Sequence, residues 1–425
     1  ARTLVLCFDG TGDQFDDDNS NIVRIFQLLK KNDPKLQMCY YQTGVGTYTA
    51  DHVHGPIGRY IHGKLDAAIA CYLHTHVQDG YEFLMQNYAV GDKICLFGFS
   101  RGAYTARALA GMVHSVGLLP SWNTQQIPFA WKCYIDGSRR GMKRASEFKA
   151  AFSNNVIVDF IGVFDTVASV GIVSKELPFA RSNKALRVFR HALALDERRV
   201  KFKVNHFHKP PEDEIDMEKS NTAHRYTGSL TRDDAIAGKE PNPVAKVKEK
   251  MRSFKTDVKE VWFAGCHGDV GGGSVDNDED NNLAMIPLRW MIQEAINTNT
   301  GILFDLAQLH LIGLNLRIPD SSDHQDPKLV EEPYSPVHLT HDNTYKLRDQ
   351  EERRWQDAVE KKFDQLVHAW AWWILEIWPL KTKSINDQRQ FRMGDLRPNF
   401  GRGRRIPNPE IHKLYIHKSV KYRME

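Results

Sequence analysis

The chain lacks the features that would assign it to several large classes of protein. Its six cysteines, Cys7, Cys39, Cys71, Cys95, Cys133 and Cys266, form no CxxC pair. Several sit inside apolar runs such as LVLCFDG and KICLFGF, the pattern of buried free thiols rather than of a disulfide framework. No apolar run approaches the ~20 residues of a membrane span, and the first residues show no charged-then-apolar signal pattern. Charge of one sign is also missing. Lys+Arg 57 against Asp+Glu 53 leaves a net charge of +4, without the concentrated basic face of a nucleic-acid binder. These absences point to a soluble protein of the cytoplasm with no nucleic-acid partner.

What the chain does have is length and rhythm. Its 425 residues, 41% hydrophobic, allow two or three domains, or one large α/β domain with insertions. TLVLCF (Thr3–Phe8), QMCYYQ (Gln37–Gln42) and KICLFGF (Lys93–Phe99) read as buried strands. Between and after them, helical spacing covers Asn21–Leu29, Gly63–Asn87 and Ala103–Val113. Val156–Phe164, Lys201–Phe207 and Val258–Ala264 add three more strand candidates. Apolar strands alternating with helices predict an α/β fold, a mostly parallel sheet covered on both faces. Residues 208–257 are polar and charged and read as an insertion outside the sheet. Residues 301–425 lose the strand–helix rhythm and read as a helical C-terminal extension packing on the core of residues 1–300.

Gly98-Phe99-Ser100-Arg101-Gly102 is a G-x-S-x-G pentapeptide. It follows a strand directly and precedes a helix-forming stretch, AYTARALAGMV. A strand-to-helix turn this tight exposes a strained serine at the carboxyl end of the sheet, with Gly98 and Gly102 giving room for strand and helix to approach. The bland alternative is a capping serine in an ordinary connection. As a nucleophile, Ser100 needs oxyanion donors. Arg101 N–H is one candidate, and the loop Gly10, Thr11, Gly12 after the first strand is the other. An Asx-type turn is the alternative for that loop.

A serine hydroxyl also needs an imidazole to take its proton and a carboxylate to orient the imidazole. Of 18 histidines, His267 stands out, in AGCHGDVGGG directly after the apolar run VKEVWFA. Asp165, in GVFDTVASVG, closes another apolar run. The order Ser100, Asp165, His267 is that of an α/β-hydrolase. Asp269 is the competing acid, but two residues from His267 its carboxylate is better placed to satisfy N–H groups of its own loop.

FDGTGD, GFSRGAYTAR, GVFDTVASVG, HALALDERR (His191–Arg199) and AGCHGDVGGG follow one another in order, and IHKSVKYR (Ile416–Arg423) lies near the end. Together they resemble the α/β-hydrolase family that includes the bacterial type VI secretion phospholipase effectors. The resemblance implies a serine hydrolase with Ser100 as nucleophile, Asp165 as acid and His267 as base. It implies ester or lipid substrates, glycerophospholipids among them, and no cofactor. A non-catalytic α/β-hydrolase-like protein holding an apolar ligand in the same cleft is the alternative.

Three further stretches invite a reading. Asp276-Asn277-Asp278-Glu279-Asp280 has alternating oxygen ligands, but no Gly at the sixth position and Pro287 at the twelfth, so a solvated acidic loop is expected and no metal. LVHAWAWWILEIW (Leu366–Trp378) is apolar nearly all round, which predicts a buried helix. A lid or a contact with a membrane surface is the alternative. Arg392, Arg397, Arg402, Arg404 and Arg405 read as a solvated or internally paired face, with lipid phosphates or an acidic partner as the alternative.

Overall fold

A computed structural model describes residues 2–11, 13–44, 58–167, 177–180, 185–207, 255–279, 281–314, 354–385, 391–407 and 414–424. Six strands alternate with helices: β1 (Thr3–Phe8), β2 (Gln37–Gln42), β3 (Lys93–Phe99), β4 (Val158–Phe164), β5 (Leu186–Ala194) and β6 (Asp257–Phe263). A short β9 (Tyr415–Ile416) joins them in one seven-stranded sheet of order β2-β1-β3-β4-β5-β6-β9. Every pairing in it is parallel. The mostly parallel sheet expected from the sequence is therefore wholly parallel among the described residues.

Alternation along each strand sorts side chains to two cores, because successive Cβ atoms point to opposite faces. Leu4, Leu6 and Phe8 of β1 and Ile94 and Leu96 of β3 face helices α2 (Gly58–Asn87), α3 (Ser100–Val116), α4 (Ile127–Ile135) and α5 (Arg139–Phe152). Val5, Cys7, Cys95 and Phe97 face the other way, toward α1 (Asn21–Leu28), α6 (His267–Gly271), α7 (Met285–Asn297) and α8 (Leu306–Leu311). Both faces are dry, which is why the strands read as continuous apolar runs.

One strand expectation needs correction, and one strand was not expected. Lys201–Phe207 is no strand; Val204 makes only an isolated bridge to Val167. The real fifth strand, β5, was hidden by Arg187, Arg190 and His191. Inside the sheet Arg190 is neutralised by Glu294 at 2.5 Å and Asp257 at 2.6 Å, partners the linear sequence does not reveal.

The C-terminal part is also not simply helical. The buried helix expected over Leu366–Trp378 is two short helices, α9 (Gln365–His368) and α10 (Trp372–Ile377). Trp370, Ile374, Ile377 and Trp378 are exposed rather than buried. An antiparallel pair follows, β7 (Leu380–Ile385) with β8 (Phe391–Arg397). The chain then returns to the main sheet at β9, where His417 N–H donates to the Trp262 carbonyl and the His417 ring stacks on Phe263. Most of the insertion expected at 208–257 lies outside the described residues. Five cysteines, Cys7, Cys39, Cys95, Cys133 and Cys266, are free thiols, and Cys71 is outside those side chains that can be described. No helix among the described residues is long and apolar enough to cross a membrane.

Candidate active site

In an open parallel sheet the ligand crevice lies beyond the carboxyl ends of the strands where the order reverses. Here the order reverses between β1 and β3. Ser100 follows β3 and residues 9–11 follow β1, so the two segments flank that crevice.

Phe99 is still extended, at φ −121°, and α3 begins at the next residue. Ser100 makes the turn with φ +55°, a left-handed conformation that costs a non-glycine residue about 1–3 kcal/mol. The flanking glycines are dictated by contact. A Cβ on Gly98 would lie 2.6 Å from Ala103 Cα, and one on Gly102 would lie 2.2 Å from the Phe8 carbonyl oxygen.

His267 is the first residue of a short helix, α6 (His267–Gly271), reached directly from β6. Its Nε2 lies 2.8 Å from Ser100 Oγ and its Nδ1 lies 2.5 Å from Asp165 Oδ2. An ionised carboxylate only accepts, so Nδ1 carries the proton and Nε2 is left to accept from the serine hydroxyl. Asp165 sits past the end of β4 with φ +40° and is wholly buried. The three residues singled out in sequence therefore meet in one hydrogen-bonded chain. Asp269 does not take part. Its carboxylate accepts from Cys266 N–H at 2.8 Å and from Phe363 N–H at 2.9 Å, closing the start of α6.

The histidine is held from every side. Phe99 packs on its ring at 4.7 Å and Phe202 meets it edge-on at 4.8 Å. Its backbone N–H donates to Glu197, and Arg199 fixes Glu197 through two further bonds. Burial pushes the imidazole below its ordinary value and outweighs the opposing pull of Asp165. For Glu197 burial acts upward, but Arg199 prevails and holds the carboxyl down to about 2.

Asp165 has a partner that reasoning from sequence did not find. Arg404, from the C-terminal part, reaches it with both terminal nitrogens, Nη1 to Oδ1 at 2.5 Å and Nη2 to Oδ2 at 2.8 Å. Ala194 N–H donates to Oδ1 at 3.0 Å. Burial alone would raise the Asp165 carboxyl; the Arg404 charge and the His267 hydrogen bond reverse that and hold it far below the usual carboxylate range. Behind it, Thr166 N–H donates to Nε2 of buried His191, whose Nδ1–H donates to Glu260 at 3.0 Å. The HALALDERR stretch thus contributes His191, Glu197 and Arg199 to the support of the site. The only prior signal for them was the resemblance of that stretch.

The loop after β1 is tightly organised. Gly10 N–H donates to Asp9 Oδ1, and Ser20 and Tyr41 hydroxyls complete the Asp9 carboxylate. The Gly10 N–H is thereby occupied by the neighbouring carboxylate, and its carbonyl accepts from Asp13 N–H at 3.1 Å; the Asp9 bond reaches one residue on, not two as in an Asx-type turn. The Thr11 hydroxyl is buried and has no partner among the described residues. Gly12 lies outside them. Arg101 follows the serine in the first turn of α3. In the acidic loop, Asn277 N–H donates to the Asp17 carbonyl, and its side-chain amide donates to the Asp16 carbonyl and accepts from Asn19 N–H; Asp280 lies outside the described residues. Among those residues no group of three or more His, Cys, Asp or Glu is placed to hold a metal ion.

Residues 2–294 match the family model described as T6SS, Phospholipase effector Tle1-like, catalytic domain. The chain belongs to this family. Membership places it among lipase- and phospholipase-like hydrolases of α/β fold. An uncharacterized protein of Saccharomyces cerevisiae, YEL023C, is 28% identical over an alignment spanning 100% of this chain and 79% of that protein. Two solved structures are more distant. One is an uncharacterized protein from Pseudomonas aeruginosa, 16% identical with a TM-score of 0.35, matching 72% of this chain and 46% of that one. The other is the Tle1 effector bound to the VgrG spike from the Type 6 secretion system, 19% identical with a TM-score of 0.33, matching 64% and 52%. The chain spans about half the length of these two structures.

Proposed function

We propose that this protein is a serine ester hydrolase, lipase- or phospholipase-like, that works through an acyl-enzyme on Ser100. The observation that carries this reading is the chain Ser100 Oγ–His267–Asp165, with the serine in a positive-φ turn between strand and helix. His267 Nε2 takes the hydroxyl proton as Oγ attacks the ester carbonyl, and returns it to the leaving alcohol. Water then attacks the acyl-enzyme by the same route in reverse. Asp165 holds the tautomer and steadies the imidazolium. Arg101 N–H and the residues 11–12 loop are the donors we assign to the oxyanion.

The substrate class we assign is an ester carried by a lipid. Trp372 packs edge-on against Phe202, which itself touches His267. Beside it Val367, Trp370, Ile374 and Trp378 face solvent. Tryptophan in such a setting favours a bilayer interface, so we place the membrane-surface contact here, beside the site.

The test is covalent labelling. A fluorophosphonate probe should label Ser100 in the wild type and leave Ser100→Ala unlabelled. Ester hydrolysis by Ser100→Ala should fall by on the order of 10⁴–10⁶ in kcat with the fold intact. Absence of an adduct on a folded wild-type protein would favour a binding protein over an enzyme.

A further inference from the structure

We propose that Arg404, carried by the C-terminal extension, is a positioning residue of the triad that clamps the Asp165 carboxylate with one oxygen aimed at His267. The inference rests on the triad reading above and goes beyond it. It makes residues far outside the 2–294 family match part of the machinery.

The geometry is that of a filled socket. A guanidinium has five N–H donors in a rigid fork. Two go to Asp165. Nε donates to the Phe202 carbonyl at 3.0 Å, Nη1 also to the Ala194 carbonyl at 2.9 Å, and Nη2 also to the Phe202 carbonyl at 2.6 Å. The side chain is 3% exposed. A buried fork with every donor engaged has one orientation, and it transmits that orientation to its carboxylate. Oδ1 is closed by Arg404 and Ala194 N–H, which leaves Oδ2, shared by Arg404, for His267.

Arg404 is itself held by the extension. Buried Glu376 of α10 accepts from Val200 N–H, Asn399 Nδ2 and Gly401 N–H. Its own backbone carbonyl accepts from Asn399 and Phe400 N–H. Glu376 therefore ties the turn just before Arg404 to the loop that follows β5. Through this tie the helix flanked by the exposed Trp370 and Trp378 is joined to the triad acid.

Removing the clamp has a defined sign. The charges facing Asp165 and His267 are Arg404, Arg199 and Glu197, with His191 behind Thr166 and Asp269 on the helix of His267. Arg404 draws on the Asp165 charge that would otherwise favour imidazolium. Without it the Asp165–His267 pair binds its proton more tightly, whichever of the two holds it. The base form then appears only at higher pH.

The experiment compares Arg404→Gln, Arg404→Lys and Glu376→Gln with the wild type on a soluble p-nitrophenyl ester across pH. Arg402→Gln, an exposed change in the same segment, is the control. We expect kcat of Arg404→Gln to fall about 10- to 100-fold, as for other residues that orient a reacting group through one intermediate. KM should stay within about threefold, and the acid limb of the kcat profile should move to higher pH. Arg404→Lys should recover part of kcat, since it keeps the charge but not the fork. Glu376→Gln should move the same limb to a smaller extent, and Arg402→Gln should not move it. A wild-type kcat and pH profile in Arg404→Gln overturns the proposal. If neither Arg404 variant folds, the residue belongs to folding rather than to the triad, and the proposal is equally overturned. Fluorophosphonate labelling of the wild type is the separate arm: its failure removes the triad reading itself, whereas a labelled wild type with an unaffected Arg404→Gln removes only the clamp.

Discussion

At the scale of single residues, the site turns on which carboxylate serves His267. Asp165 and Asp269 were both in reach of that role from sequence, and contact geometry separates them. Asp165→Asn should lose on the order of 10⁴ in kcat, because an amide can hold the wrong imidazole tautomer. Asp269→Asn should instead act as loss of a helix cap, lowering stability by about 0.5–2 kcal/mol. Its kcat should change less than tenfold, as measured by thermal unfolding beside steady-state kinetics. His267 adds a prediction about pH. Only the neutral imidazole can take the serine proton, and burial pushes its titration below the ordinary value. Activity should rise with pH through a midpoint below ~6.5 and hold above it. A kcat/KM profile that is still rising well above neutrality would contradict this.

At the scale of elements, the strand–turn–helix β3–α3 carries the most constraint. Its glycines leave no room for a methyl group: Gly102 faces the Phe8 carbonyl and Gly98 faces the start of α3. Gly102→Ala should therefore push α3 off the end of β1. We expect about 1–3 kcal/mol of destabilisation and loss of at least tenfold in kcat, read by denaturant unfolding and ester hydrolysis. The same element was the most legible in sequence, since an apolar run, a glycine-bracketed serine and a helix-forming run are all local signals. β5 was the least legible. Arg187, Arg190 and His191 break its apolar pattern, and only the carboxylates of Asp159, Asp257, Glu260 and Glu294 explain them. Those partners come from other strands and a helix. Conversely, alternation in Lys201–Phe207 resembled a strand, but the segment is needed as a loop that brings Phe202 to His267 and Arg404.

At the scale of the whole molecule, the C-terminal part is stitched into the rim around Ser100 and the sheet edge. Phe363 meets the Asp269 carboxylate, Glu376 meets Val200, Arg404 meets Asp165, and Tyr415–Ile416 extends the sheet. The exposed tryptophans of this part give a prediction for lipid surfaces. Trp370→Ala with Trp378→Ala should reduce hydrolysis of phospholipid vesicles at least fivefold, on the basis of about 1 kcal/mol or more lost from interfacial anchoring. Hydrolysis of a soluble short-chain ester should stay within twofold. Equal losses on both substrates would place the tryptophans in the fold rather than at an interface.

The amino-acid sequence by itself pointed to the parallel sheet, the tight strand-to-helix turn at Ser100, and Asp165 and His267 as the side chains that meet it. Each is written in neighbouring residues: apolar runs of strand length, glycines that only a close turn requires, and polar residues placed at strand ends. What the tertiary structure alone decided is how those residues are held. Arg404 lies in a basic stretch that reads as solvated or internally paired, and nothing in its neighbours points to a carboxylate more than 200 residues away. Likewise Trp370 and Trp378 look like core in sequence and lie at the surface in the fold. The reason is the range of the forces involved. Backbone propensity and alternation act between neighbours along the chain. The desolvation of an ion pair and the burial of an indole depend on which distant segment arrives beside them.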